Sequence, residues 1–413
     1  MGTFRHTLKN GLRVAIRPGG STPQVGVAIT YDVGSRNETR GASGFAHLFE
    51  HMMFQGSANV GKAEHFRLVS EWGGRANGTT SQNRTNYYQV LPSHQLALGL
   101  WLEADRMRSL AVDEENFENQ RQTVMEERRE RIDNSPYGVA SVRLGELSYS
   151  NFAYAHPVIG YWDDLENAEF SQVQAFHQTW YRPGQAVLAL AGEVDIDESM
   201  ALIEAYFGDI APGEPPPIPD VSEILRKEPK TELLADPLAR LPAIFLNHQA
   251  GGYGSSDFLG WEVLEAILFM GSSSRLYRRL VVDESAALQI GGGYECHRGP
   301  GLFGLQAVTR DIESLDRVRL LYREELERIA YEGVGLEELN KVHNQIRAAA
   351  IFGQQSPLNR AVRLSQDVLF HDDAEFLEGY LHSVTTVDSD DVQARARGFL
   401  ERDNLVDLRV IPR

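Results

Sequence analysis

His47-Leu48-Phe49-Glu50-His51 is the stretch on which the interpretation of this chain turns. On an α-helix, residues four apart lie on one face, so His47 and His51 can present both imidazoles to a single metal ion. Glu50 lies near that face and can reach a water on the metal without ligating it. The flanks favour a helix: Gly41, Ser43 and Gly44 lead in, Phe45, Leu48, Phe49 and Met52 recur at helical spacing, and Gln55-Gly56 is expected to close it. Two imidazoles and a nearby carboxylate base are most of a hydrolytic zinc site, which commonly takes a third protein ligand and leaves the fourth position to water.

The carboxylates available for that third position lie in the helical run Glu114-Glu115-Asn116-Phe117-Glu118-Asn119-Gln120-Arg121-Gln122-Thr123-Val124-Met125-Glu126-Glu127. Spacing within the run does not choose among Glu114, Glu115, Glu118, Glu126 and Glu127. A charge run of this kind also serves as a plain solvated helix face.

The string resembles the signature of the inverted zinc peptidases, the family of pitrilysin, insulin-degrading enzyme and the mitochondrial processing peptidase. The resemblance implies a glutamate ligand 76 positions beyond the second histidine, which is Glu127. It extends over nearly the whole chain. His6-Thr7-Leu8-Lys9-Asn10-Gly11-Leu12-Arg13-Val14 looks like the family's opening strand, and Trp180-Tyr181-Arg182-Pro183 with Val187 to Gly192 looks like the end of its first domain. Arg75-Ala76-Asn77-Gly78-Thr79-Thr80 through Tyr88 is similar to the edge strand that holds substrate, which implies substrate-binding roles for Asn77, Gly78, Thr79 and Thr80.

Two departures bear on mechanism. The family commonly has a second glutamate seven positions before the ligand, where this chain has Gln120, able to hydrogen-bond behind the metal but not to add charge. The family's second half also carries an arginine and a tyrosine that reach the substrate carbonyl. Aligning Ser273-Ser274-Arg275-Leu276-Tyr277-Arg278-Arg279-Leu280 with that motif puts Val281 and Leu288 at those positions.

With 413 residues the chain is long enough for two domains of about 200 residues each. Its 42% hydrophobic and 24% charged residues describe a globular protein. No apolar run of about 18 residues marks a membrane span, and no basic, then apolar, leader is visible. The expectation is a cytoplasmic location, or a periplasmic one for a trimmed chain. Cys296 is the only cysteine, which excludes an intrachain disulfide and a cysteine zinc site. The net charge of −18 argues against nucleic acid and would favour basic peptides.

Ala211-Pro212-Gly213-Glu214-Pro215-Pro216-Pro217-Ile218-Pro219 cannot form regular helix or central strand and reads as a spacer. Around it a faint repeat emerges: Val173-Gln174-Ala175, Trp180 and Val187 recur as Val392-Gln393-Ala394, Phe399 and Val406, shifted by 219 positions. Near the motif the shift falls to about 215, so His47, Glu50 and His51 face Glu262, Glu265 and Ala266. The expected organisation is a zinc-bearing domain at 1–212, a linker at 213–228 and a homologous domain without metal at 229–413. The resemblance implies an α+β fold, each copy an antiparallel sheet covered by helices, with the two packed around a peptide-binding cavity.

Together these point to a zinc-dependent endopeptidase for extended or unfolded peptides, with Zn2+ on His47, His51 and Glu127 and Glu50 as the base. Because Val281 and Leu288 cannot donate to an oxyanion, the chain resembles the zinc-bearing subunit of a heterodimer whose homologous, non-zinc partner supplies arginine and tyrosine. The alternatives are a metal-free scaffold or core subunit, an active homodimer in which Arg275, Arg278 or Arg279 substitutes, and a chaperone-like peptide binder.

Overall fold

Gln24–Tyr31 and Ala186–Gly192 are near-continuous apolar runs, the signature of strands covered on both faces. In the computed structural model, which describes residues 2–402 and 404–413, both are central strands. The first sheet contains β1 (Phe4–Thr7), β2 (Arg13–Pro18), β3 (Gln24–Tyr31), β4 (Arg75–Thr80), β5 (Thr85–Pro92) and β6 (Ala186–Gly192), in the order β1-β2-β6-β3-β5-β4. On one face Val25, Val27, Ile29 and Tyr31 pack with α1 (Phe45–Met52) and α3 (Leu96–Ser109), and α2 (Glu64–Glu71) adds Val69 to the same cluster. On the other face Ala15, Val187 and Ala189 meet Leu364 and Val368 of the helix Pro357–His371. Small residues admit that helix closely: a Cβ on Gly26 would lie 2.3 Å from the Pro357 carbonyl oxygen.

The second sheet holds β7 (Lys230–Asp236), β8 (Ala243–Ala250), β9 (Gln289–Glu295), β10 (Gly301–Val308) and β11 (Val406–Pro412), in the order β7-β11-β8-β10-β9. Apart from β1, which has no counterpart, replacing β2, β6, β3, β5 and β4 by β7, β11, β8, β10 and β9 turns one order into the other. The pairings agree too, with β2–β6 and β7–β11 parallel and the rest antiparallel. The faint sequence repeat is therefore a structural duplication. Each sheet is mixed rather than purely antiparallel as expected, because β6 and β11 return only after long helical stretches, which permit a parallel crossover.

The described residues group into two compact units: 1–128 with 156–220 and 351–377, and 129–155 with 221–350 and 378–413. The change at Asp220 falls within the expected 213–228 linker, which forms no helix or strand. The contiguous halves need correcting on either side of it. The helix Gly138–Ser148, from the first half of the sequence, covers Phe245, Leu408 and Val410 of the second sheet. The helix Pro357–His371, from the second half, covers the first sheet, and its first residue stands 219 positions after Gly138. The two exchanged helices are thus repeat counterparts. Each sheet is apolar on both sides, and one of its covers comes from the other half of the chain. Among the described residues no helix is long and apolar enough to cross a membrane.

Candidate metal centre

α1 has only eight residues, too short to persist alone, so it depends on the core it enters. Phe45, Ala46, Leu48, Phe49 and Met52 are buried, while His47, Glu50 and His51 face the other way and are half-buried. Phe49 stacks on Phe176 and His177 and lies 5.1 Å from the Tyr181 ring, which fixes the rotation of the helix about its axis. The helix ends at Met52, before the expected Gln55-Gly56 closure, because Phe54 and Gln55 already form turns and Gly56 takes φ +114°.

The third group comes from α4 (Glu114–Arg128). Its inward face carries Phe117, Gln120, Val124 and Arg128, and Glu127 stands one turn beyond Val124. Glu127 Oε2 lies 3.2 Å from His51 Nε2 and 3.7 Å from His47 Nε2. Among the described residues, this trio is the group of histidine, cysteine or carboxylate side chains whose ligand atoms all fall within 4.8 Å of one another. A tetrahedral ion bound at the usual zinc–nitrogen and zinc–oxygen lengths needs ligand atoms roughly 3.3 Å apart. The donor set and its spacing therefore fit zinc. Glu115, Glu118 and Glu126 line a shallow polar groove with Asn119, Gln122 and Thr123 on another side of the same helix.

Glu50 is held from the sheet. Thr80 Oγ1 on β4 donates to Glu50 Oε2 at 2.7 Å. A Cβ on Gly78 would come within 3.1 Å of Glu50 Cγ and 3.2 Å of the Tyr87 ring, so glycine leaves the glutamate its place. β4 is the outer strand of its sheet, paired on one side with β5. Of the four residues expected to bind substrate, Gly78 and Thr80 thus border Glu50 directly. Asn77 is exposed with its Oδ1 accepting from the Gly78 amide, and Thr79 bonds sideways to Asn86 and Arg84.

The sequence reading missed what lies underneath. Tyr87 donates its hydroxyl to the Phe49 carbonyl at 3.0 Å, tethering α1 one residue before Glu50. Arg106 lies 4.4 Å above the Tyr87 ring and makes a buried, two-pronged pair with Glu103. No motif signals these charges: α3 carries two acid–arginine pairs three apart, Glu103 with Arg106 and Asp105 with Arg108, and spacing does not say which of them faces inward.

Gln120 is buried two turns before Glu127, and its amide donates to Asn119 Oδ1 rather than to a ligand. In the second unit, burial pushes the Cys296 thiol up to about 12, so it is no thiolate nucleophile. Val281 lies in the turn of helix Tyr277–Asp283, and Leu288 is exposed just before β9. Arg275 is held by Glu338 and Glu325, Arg279 by Glu324 and Glu325, and Arg278 by Asp283.

The sequence profile described as "Insulinase (Peptidase family M16)" matches residues 13–160, and the one described as "Peptidase M16 inactive domain" matches residues 167–346. The chain belongs to peptidase family M16. Within M16 it is 33% identical to the zinc protease PqqE of Helicobacter pylori over 289 residues, an alignment covering 68% of this chain and 64% of that protein. It is 26% identical to an uncharacterized zinc protease of Mycobacterium bovis over 96% of this chain and 91% of the relative. A crystal structure of a protease from Helicobacter pylori superposes over all of both chains with a TM-score of 0.94 at 27% identity. The helices that carry His47, His51 and Glu127 both fall within the first profile, and the second profile begins just before the helix leading into β6.

Proposed function

We propose that this M16 protein is a zinc-dependent endopeptidase for extended or unfolded peptides, acting as the catalytic subunit beside a homologous chain. The observation that carries the reading is the convergence of His47, His51 and Glu127 next to a glutamate that is fastened to the edge strand of a sheet. When bound, zinc would lower the pKa of a water and polarise the scissile carbonyl. Glu50 is placed to take that water's proton and return it to the leaving amine, a role its position beside the ligands permits and its hydrogen bond to Thr80 orients. The free side of β4 offers backbone groups to which an extended peptide can add as a further strand, and a helical or sheet-bound peptide could not do so.

Support for a second chain comes from what lies in the metal-free unit. Val281 and Leu288 offer no donor to a developing oxyanion, and losing one such donor costs on the order of 3 kcal/mol. The three arginines that could replace them are already held by carboxylates. This disfavours self-sufficiency of the chain.

The decisive experiment is cleavage of an unstructured fluorogenic peptide by the chain alone, by the chain with a homologue carrying the arginine and tyrosine, and by Glu50→Gln in the same mixture. Weak activity alone, full activity in the mixture and none with Glu50→Gln is expected. Full activity of the isolated chain would sink the partner requirement, and an active Glu50→Gln would sink the base.

A further inference from the structure

α1 lacks a side-chain cap of its own, since its N-cap is Gly44 at φ +91°. Its exposed amides are taken instead by Glu38, upstream in the chain. Gly44 N–H donates to Glu38 Oε2 at 2.7 Å and Ala46 N–H to Glu38 Oε1 at 2.8 Å. His156 Nε2 lies 2.9 Å from the same Oε2, and both side chains are 0% exposed. Burial pushes the Glu38 carboxyl up, opposed by these bonds. Whichever of the two carries the proton, the contact joins the carboxylate that caps α1 to the first residue of the segment His156 opens.

His156 opens a segment that continues from the cap of α1 to the ligand end of α4. Gly160 packs backbone to backbone on Gly44, where a Cβ on Gly160 would lie 2.7 Å from Gly44 Cα. The Gly160 carbonyl then accepts from Arg128 Nη1 at 2.5 Å, and Arg128 is the residue after Glu127. Further along, the Tyr161 amide donates to Ser43 Oγ at 2.9 Å, Ser43 Oγ donates to Asp164 Oδ2 at 2.5 Å, and Arg121 of α4 reaches the carbonyls of Leu165 and Glu166. One stretch of backbone, 156–166, is therefore fastened twice to the start of α1 and twice to α4.

We infer that segment 156–166 is a brace that sets the distance between the two ligand-bearing helices, with Glu38, His156 and Arg128 as positioning residues for the metal. The ligands on α1 and α4 are far apart in the chain, and zinc tolerates little error in their separation. Side chains packed between two helices can slip; a backbone segment bonded to both leaves less freedom. The inference rests on the zinc reading of His47, His51 and Glu127.

The test is zinc affinity of the whole chain by competition with a chromophoric chelator, together with the visible spectrum of the Co2+-loaded protein as a probe of ligand geometry. His156→Ala and Arg128→Met should each weaken zinc binding about 10- to 100-fold and alter the cobalt bands. The double variant should lose little more than either single one, because both cut the same brace. Arg128→Lys, which keeps a donor for Gly160, should recover most of the affinity. Circular dichroism and resistance to proteolysis establish that each variant is folded, a condition under which a merely structural residue would leave zinc affinity unchanged. Folded variants that bind zinc within about twofold of the parent, with the parent's cobalt spectrum, overturn the brace alone. A parent chain that binds no zinc removes the zinc reading and the brace together. If both single variants unfold, the segment is a folding element and the proposal falls.

Discussion

α1 beneath β4 in the first unit and the helix Phe258–Phe269 beneath β9 in the second are the same construction with different contents. In each, the outer strand of the sheet crosses a helix so closely that a glycine faces a glutamate. A Cβ on Gly78 would meet Glu50 Cγ at 3.1 Å, and a Cβ on Gly293 would meet Glu265 Oε1 at 2.4 Å. The glutamates are spent differently. Glu50 takes a side-chain hydroxyl from Thr80 and stays beside the histidines. Glu265 is half-buried, which raises its pKa, and accepts the backbone amide of Tyr294, so it ties down the β9 strand above it. Glu262 and Ala266 occupy the positions of the two histidines. The strand-over-helix arrangement thus belongs to the fold, and the candidate metal-binding trio is a small set of side chains laid on one copy.

The sharpest way to break that comparison is to remove a ligand. His51→Ala or Glu127→Ala should drop bound zinc from about one equivalent to none by metal analysis, whereas Glu262→Ala should leave it unchanged; zinc retained by both ligand variants would refute the site. Next in size, Glu50→Gln should lower peptide cleavage about 10²- to 10⁴-fold with zinc still bound, while Glu265→Gln cleaves like the parent. Equal losses from both changes would mean that the two glutamates share a structural role.

Smaller effects should separate the two glycines. Gly78→Ala asks Glu50 and Tyr87 to give way by a few tenths of an ångström and should cost about tenfold in cleavage, with the unfolding midpoint little changed. Gly293→Ala combines a contact with the Glu265 carboxylate, which must shift, with φ +154°, so it should destabilise the protein by about 1–3 kcal/mol in urea unfolding without moving zinc affinity. The reverse pattern would show that β9, not β4, bears on the reaction.

A final comparison concerns acid. In each unit packing lowers the pKa of a histidine to about 4, His177 against Phe49 and Tyr181 in the first and His248 against Phe399 in the second, and it lowers that of His65 as well. Because the folded value lies below the unfolded one, the unfolded chain binds the proton first as pH falls. Their contribution is therefore complete above about 6.5 and is lost progressively towards about 4. His177→Phe and His248→Phe should each flatten the fall in melting temperature over that window. An unchanged slope in both would show that other groups govern acid unfolding.

Much of this was legible in residues. The shared face of His47, Glu50 and His51 could be read from the string itself, because helical periodicity alone puts them on one side of a short amphipathic element. Glu127 was legible only through resemblance, since α4 offers several glutamates and spacing along a helix does not say which side meets a neighbour. Even so, the duplicated order of strands was foreshadowed by Val173, Trp180 and Val187 and their counterparts. Tyr87, Arg106, Glu38 and His156 were not foreshadowed, because a buried polar residue reads the same as an exposed one until its partners arrive.

By itself the sequence determined the local facts: a histidine-bearing helix, a glycine and threonine strand, an apolar pair of central strands, a proline-rich spacer and a second copy without ligands. These follow from near-neighbour periodicity and steric preference. Only the tertiary structure decided that Glu127 completes the trio, that Thr80 holds Glu50, and that the helices Gly138–Ser148 and Pro357–His371 cover the sheets of opposite halves. The reason is physical: those relations join residues tens to hundreds of positions apart, and the packing of apolar faces, rather than any local preference, sets which distant side chains meet.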